Sequence, residues 1–456
     1  MNDIEFNSLS RVDINTHLQN NNDNLKVAKN TSEGIIVSNI EFDAKSISFD
    51  NKKDCTYKLI DTKSQQIQAN TIKRIKFENC EFDVEPIVTN EDIFLLEFYN
   101  CVFNSMGDLQ KNLLSTTHEN KQVYFYDCKF DKFQLGGVQA IMYNSNVKLC
   151  KFFFFGGEID ELTIENIEIA SKFYINKQYD DNSRICEIKR LYIYNSIFKE
   201  NFKLHNCEIN EIEITDTDFE KNADFYKSHF KSGKKNQDNQ FKTEINFKAL
   251  NFKELALFGD TKFDKKFNLK YVTLKGYSHF RNAIFKEGLD LDYTNTQNPM
   301  NFFGVKELDS KISKDNTSQE TYRTIKYNFE ALENIIEANK YHVLELEKHR
   351  EYIWSQDTIS FKLLGDGIVS LFHRVSSNHS SNWFLALCWI IIVSICTNLY
   401  LCNEIKSIEN ILKYVNILSN IDDFKDSYTV MTLNKISLGY LYYQFVTAVR
   451  KDTRKK

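Results

Sequence analysis

Phe258-Gly-Asp-Thr261-Lys-Phe263-Asp-Lys-Lys-Phe267-Asn-Leu269-Lys-Tyr-Val272-Thr-Leu274 carries the beat on which the fold turns. Phe258-x-x-Thr261-x-Phe263 and Leu269-x-x-Val272-x-Leu274 share one form: an apolar residue, a smaller one three positions on, and a large apolar residue two positions later. Working outward, the form recurs at Ile193/Ser196/Phe198, Leu204/Cys207/Ile209, Ile214/Thr217/Phe219, Phe225/Ser228/Phe230, Phe247/Leu250/Phe252 and Phe280/Ala283/Phe285. A fixed period this short means one supersecondary unit stacked many times, and hence a solenoid. Pairs such as Phe267-x-Leu269 fall between beats. Alternation over three residues and then a polar break predicts very short strands with their apolar side inward. Two beats, about 22 residues, make one coil.

Upstream the beat appears at Val37/Ile40/Phe42, Phe77/Cys80/Phe82, Phe98/Cys101/Phe103 and Phe125/Cys128/Phe130, with wider and uneven spacing that implies inserted loops. Residues 1–32 are Asn-rich and lack the period, so they read as a polar leader or cap; the β-solenoid is placed at 33–305. The pairs Cys80/Phe82, Cys101/Phe103, Cys128/Phe130, Thr217/Phe219, Thr261/Phe263 and Ala283/Phe285 are the expected core of the repeat. These residues resemble the pentapeptide-repeat family. That resemblance implies a mainly β fold, a right-handed parallel β-helix of quadrilateral section that buries a central Phe or Leu and a small residue two positions before it. The step here is mostly 11 and strict tandem fives are absent, so a three-sided β-helix is the alternative.

The period changes after the repeats. Thr317-Ser-Gln-Glu320 reads as a capping box, followed by Tyr322, Ile325, Phe329 and Leu332 at helical spacing. A second stretch runs through Ile335, Ala338, Tyr341 and Leu344, with Asn334 at the turn between. This helical pair, 316–355, is expected to cap the open end of the solenoid. A linker at 356–381 leads to Trp383–Cys402, 20 residues without a charge, which is what crossing the bilayer core requires. That span is placed at 382–403, with Trp383, Trp389 and Tyr400 as aromatic anchors. A second span is expected at 430–449, where Lys435 would snorkel, after an inter-span loop at 404–429. The tail, 450–456, holds five basic residues and one acidic. By the positive-inside rule that tail stays in the cytoplasm, so two spans put the solenoid there as well, at a bacterial inner membrane. This end of the chain also resembles a bacterial group that joins pentapeptide repeats to a two-span module, some of whose members have the layout of small ion channels. The loop between the spans has no Thr-x-Gly-Tyr-Gly-like filter.

Composition narrows the function. The 456 residues include 37 Phe and 23 Tyr, and the net charge is −5. Only two prolines occur, as suits stacked strands, since proline cannot donate to a ladder. Between Leu191 and Tyr293 there are 17 Lys/Arg and 16 Asp/Glu. So neither an acidic DNA mimic nor a basic nucleic-acid face is expected. The ten cysteines form no CxxC pair; Cys80, Cys101, Cys128 and Cys207 sit at the small position, where packing explains them. With no signal-like N-terminus, this suggests a reducing compartment. Nine histidines are scattered without metal or triad spacing, and no phosphate-cradling glycine motif occurs. Asp216 and Asp218 lie two apart, as catalytic carboxylates can, but the repeat places polar residues there in any case. The expectation is therefore no enzyme, no cofactor and no metal. A membrane-tethered scaffold or recognition surface for a protein partner is expected, with a channel-like or sensor protein gated by the solenoid as the alternative. Self-association through the membrane helices would favour the alternative.

Overall fold

The short strands follow directly from alternation. Along Cys207–Thr215 buried Cys207, Ile209, Ile212 and Ile214 alternate with half-buried Glu208, Glu211 and Glu213. The strand lies parallel on Cys186–Tyr194, with Cys186 on Cys207, Ile188 on Ile209 and Ile193 on Ile214. The computed structural model describes residues 95–104, 121–136, 151–177, 186–234, 244–356, 361–402, 408–425 and 427–453. It also describes the strand backbone at 3–4, 28–31, 34–38, 41–42, 48–49, 74–78, 81–82, 87–88, 115–116 and 148–149. By its contacts the chain forms two compact units, Met1–Thr317 and Ser318–Lys456.

The first unit is built of three long sheets, of 12, 14 and 6 strands. Their strands are parallel, except that Asp3–Ile4, Ala28–Thr31 and Gly34–Ser38 pair antiparallel at the start of the 12-stranded sheet. The late coils show the plan. Ala256–Leu257, Lys262–Phe263, Phe267–Asn268 and Thr273–Leu274 follow one another in one coil. Each pairs with the equivalent segment 22 residues on: Ser278–His279, Ile284–Phe285, Leu289–Asp290 and Asn295–Thr296. A coil therefore carries four strand segments. The 14-stranded sheet joins two of the four ladders, because Glu158–Glu165, Cys186–Tyr194 and Cys207–Thr215 run straight from one to the next.

The last coil is closed by a short helix absent from the sequence reading, α1 (Lys311–Asn316). Ser310 accepts from the Ser313 N–H at its start, and Thr317 Oγ1 accepts from the Leu289 N–H at 3.3 Å. Gly288, at φ +109°, is pressed against it: a Cβ there would stand 3.0 Å from Thr317 Oγ1. The expected capping box therefore shifts by one residue. Thr317 ends α1, and Ser318 caps α2 (Gln319–Ala331) by accepting from the Thr321 N–H.

In the second unit α2 packs on α3 (Ile335–Trp354), whose N-cap is Asn334. Phe329 stacks on Tyr341 at 5.5 Å, and Glu345 takes Arg323 and Lys326, each at 2.8 Å. The expected linker at 356–381 is largely a helix, α4 (Phe361–Ser377), with Ile368, Val369, Leu371, Phe372 and Val375 exposed. Gly365 and Gly367 break its helical signal without breaking the helix. Next come α5 (Trp383–Cys402), α6 (Ile408–Val415), a 3₁₀ turn at Ile421–Phe424, and α7 (Tyr428–Thr453). The expected inter-span loop thus contains structure of its own, tied by the Tyr442 hydroxyl to the Val415 carbonyl at 3.0 Å.

Candidate functional site

The core positions come first, since they decide what is left facing outward. Cys101, Phe103, Cys128, Phe130, Thr217, Phe219, Thr261, Phe263, Ala283 and Phe285 are all buried. Cys80 lies outside the described residues, and of Phe82 only the backbone is described, paired with Phe103 and Phe42. Like stacks on like: Phe103 on Phe130 at 4.4 Å, Phe219 on Phe252 at 4.9 Å, Phe263 on Phe285 at 5.0 Å. Cysteine, serine and threonine share the small position because each donates to a carbonyl there. Ser196 bonds the Tyr194 carbonyl at 2.7 Å, Cys207 that of His205 at 3.1 Å and Thr261 that of Phe225 at 3.0 Å. Burying the hydroxyl is tolerated once it is bonded.

The residue just before the small position turns the corner with positive φ. Among the described residues from Asn100 to Tyr293, twelve non-glycine residues do so, and eight are Asn or Asp, the types that bear left-handed backbone best. Their side chains form a ladder outside: Asn195 donates to Asn166 at 2.7 Å and Asn282 to Asp260 at 3.1 Å. Asp216 is one of these corner residues. With Asp218, Asn166 and Asn195 it lines an open groove, and among the described residues no group of three His, Cys, Asp or Glu side chains could hold a metal.

Outward residues form aromatic stacks and ion pairs between coils. The earlier coils carry an aromatic ladder: Tyr99 on Tyr126 at 4.4 Å, Tyr124 on Phe153 at 4.5 Å, and Lys203 over Tyr174 at 4.9 Å. Ion pairs join coils in both parts, Lys189–Asp160 at 2.8 Å among the earlier, Lys221–Glu254 at 2.6 Å and Lys265–Glu287 at 2.8 Å among the later, where Tyr271 also stacks on Tyr293 at 5.2 Å. Asp290, almost fully buried, is held between Lys266 at 3.0 Å and Lys270 at 2.9 Å. Burial alone would raise its pKa; the Lys270 hydrogen bond, the Asp292 N–H and Lys266 outweigh it and hold the carboxyl below its usual range.

The helices of the second unit sort residues the other way. On α7, Asn434 and Gln444 are buried while Leu433, Ile436, Tyr443 and Val446 are each more than 60% exposed. Asn434 donates to Thr397 of α5 at 2.9 Å, and Ile390, Leu438 and Leu441 pack between the two helices. Among the described residues α5 is the one helix long and apolar enough to cross a membrane. Only 28% of its most apolar window is buried, whereas a soluble core helix would be mostly covered. Trp383 and Tyr400 are exposed, but Trp389 is not a free anchor: its indole N–H donates to the Val375 carbonyl of α4 at 2.8 Å.

Sequence reasoning missed the turn between α4 and α5. Asn378, His379 and Ser380 are three successive residues with positive φ, each costing about 1–2 kcal/mol of backbone strain. Gln444 locks the turn: its Oε1 accepts from Ser377 at 2.9 Å and Ser380 at 2.5 Å, and its amide meets His373 Nδ1 at 3.2 Å. The result buries His379, 4% exposed, with its Nε2 unpartnered. Burial, then the fields of Arg350, His373, His342 and Arg374, push that imidazole down to about 4. Burial and the Lys451 charge push His373 down. Three histidines scattered in sequence thus share one basic cluster, which no local spacing announces. A comparison of the chain with family models, with curated proteins and with solved structures gives no match.

Proposed function

We propose that the protein is a membrane-tethered β-solenoid scaffold or recognition protein of the bacterial inner membrane, without enzymatic activity. The observation that carries the membrane part is the reversed sorting of α5 and α7, polar groups inside and apolar groups outside. Lipid is the solvent in which such a surface is stable. In this reading α5 spans, and α7 spans with it as the second arm of a hairpin, its polar side chains consumed by Thr397, Ser377 and Ser380. Arg450, Lys451 and the remaining basic tail hold that end in the cytoplasm, and the solenoid lies on the same side. The exposed apolar face of α4 suits the bilayer interface.

The solenoid is read as a right-handed, four-sided β-helix of pentapeptide-repeat type, supported by four strand segments per coil and by the small-residue/Phe pairing. Its role is presentation. The interior is uniform, and what varies from coil to coil is outward: ion pairs along the length and aromatic stacks, most of them in the earlier coils. The earlier coils are the expected contact for a protein partner, because aromatic residues carry most interface energy. The test is alkaline extraction of membranes holding the full-length protein, followed by cross-linking in place. Retention in the pellet with adducts to other proteins supports the reading. Release into the supernatant removes the membrane part, and adducts only between copies of the chain favour a self-assembled sensor or channel.

A further inference from the structure

We propose that Arg350, Arg374, His379 and Lys451 form a binding site for a phosphate-bearing anion. Three helices and one strained turn supply these groups: Arg350 from α3, Arg374 from the end of α4, His379 from the turn and Lys451 from the end of α7. The Lys451 ammonium reaches the His379 carbonyl at 3.4 Å. Two side-chain nitrogens in the cluster are buried without a partner: Nη1 of Arg350, a donor, and Nε2 of His379, which donates in the Nε2–H tautomer or when the ring is protonated. Unmade donors in such a position are costly, and native structures rarely leave them so. The charges acting most strongly on His379 are all positive. Burial, and then the Arg374 charge, lower the pKa of Arg350, against Glu347 and Glu351 on its own helix.

Glu345, by contrast, is matched by Arg323 and Lys326. The chemistry of the basic cluster specifies what would complete it. Donors brought near His379 from three helices suit a tetrahedral anion with several acceptor oxygens. The arginine fork gives paired hydrogen bonds to phosphate, and lysine adds a point charge. A carboxylate, with two oxygens, would leave donors unmet. The anion is either soluble phosphate or a phospholipid headgroup. The lipid source rests on the membrane reading, since His379 lies in the turn just before α5, with Ser380, Ser381 and Asn382 between; binding of soluble phosphate does not depend on it.

The experiment uses the full-length protein in neutral detergent with two probes. Inorganic phosphate is followed by equilibrium dialysis, and phosphatidylglycerol by native mass spectrometry. Saturable binding of at least one probe is expected, weakened about tenfold or more by Arg350→Gln. Arg350→Lys should recover part of it, and Arg323→Gln, which changes the Glu345 cluster instead, should leave it unchanged. His379→Asn tolerates the left-handed backbone and serves as a second variant should Arg350→Gln fail to fold. Binding of phosphate identifies a soluble source, and binding of the lipid alone a headgroup. No saturable binding of either probe overturns the proposal. So does wild-type binding by both Arg350→Gln and His379→Asn, or acetate competing as well as phosphate.

Discussion

The solenoid and the α5–α7 hairpin obey one rule with opposite signs. In the solenoid Phe263 is fully buried while Lys262 beside it faces outward; in α7 Gln444 is fully buried while Tyr443 and Val446 face outward. Each surface matches its solvent, so in the membrane reading proposed above the reversal follows from two solvents rather than two kinds of folding. A second contrast lies in what surrounds the buried titratable groups. Asp290 of the solenoid sits between two lysines, whereas His379 sits among positive charges. The first arrangement is complete by itself, and the second waits for a counter-charge.

The strongest way to break the comparison is the same substitution placed on each side. Phe263 touches Phe230, Phe267 and Phe285 at ring distances of 5.3, 4.1 and 5.0 Å. Phe263→Asp removes those contacts and buries a charge without a partner, so a loss of about 4 kcal/mol or more is expected. Thermal unfolding and protease cleavage within the later coils should both reveal it; an unchanged melting curve would sink the inward assignment. Ile391→Asp, near the middle of α5 on its exposed side, should leave unfolding of the solenoid unaffected. It should instead cost about 3 kcal/mol of membrane insertion, read as release of the protein on alkaline extraction. If Ile391→Asp stays in the membrane pellet like the wild type, α5 is not a span.

Acid sharpens the second contrast. A histidine whose folded pKa is held at about 4, against an ordinary 6.5, binds its proton more weakly folded than unfolded. Its contribution is therefore complete above about pH 6.5 and is lost as pH falls toward 4, by about 3 kcal/mol for His379. His342 and His373 are pushed down as well, and both add to the loss. Unfolding of the detergent-solubilised protein followed between pH 7 and pH 4 should show the decline, and His379→Asn should flatten it. Phosphate should blunt it in the wild type, since an anion in the cluster favours the charged imidazole.

How far the sequence carries differs between the regions for a physical reason. In the solenoid each coil repeats the same local solution, so positions such as Thr261 and Phe263 are marked again and again and their inward placement is legible. The helix α1 escaped because six residues are too few to show a period, and α4 because Gly365 and Gly367 interrupt one. The Thr317/Ser318 ambiguity is chemical, since both residues can cap and only the Leu289 N–H decides between them. The basic cluster is a tertiary object. Its members come from positions 350 to 451, and nothing at any single one of them differs from an ordinary surface residue.

The corner residues give the smallest and most specific test. Asn282 holds φ +58° and donates to Asp260 on the coil before it. The preference for Asn and Asp at this place is written in the sequence, one residue ahead of the small position, and it went unread because Lys227, Ala249, Tyr271 and Tyr293 interrupt it. Those four show that the geometry is imposed by stacking and not by the corner side chain alone. Asn282→Val sets a β-branched residue in the left-handed region, which should cost about 1–2 kcal/mol. Asn282→Gly should lose only the side-chain bond, within about 1 kcal/mol of wild type. Chemical denaturation of both variants separates the two contributions. If valine is tolerated as well as glycine, the positive φ at this corner is not required, and the Asn/Asp ladder serves only to join neighbouring coils.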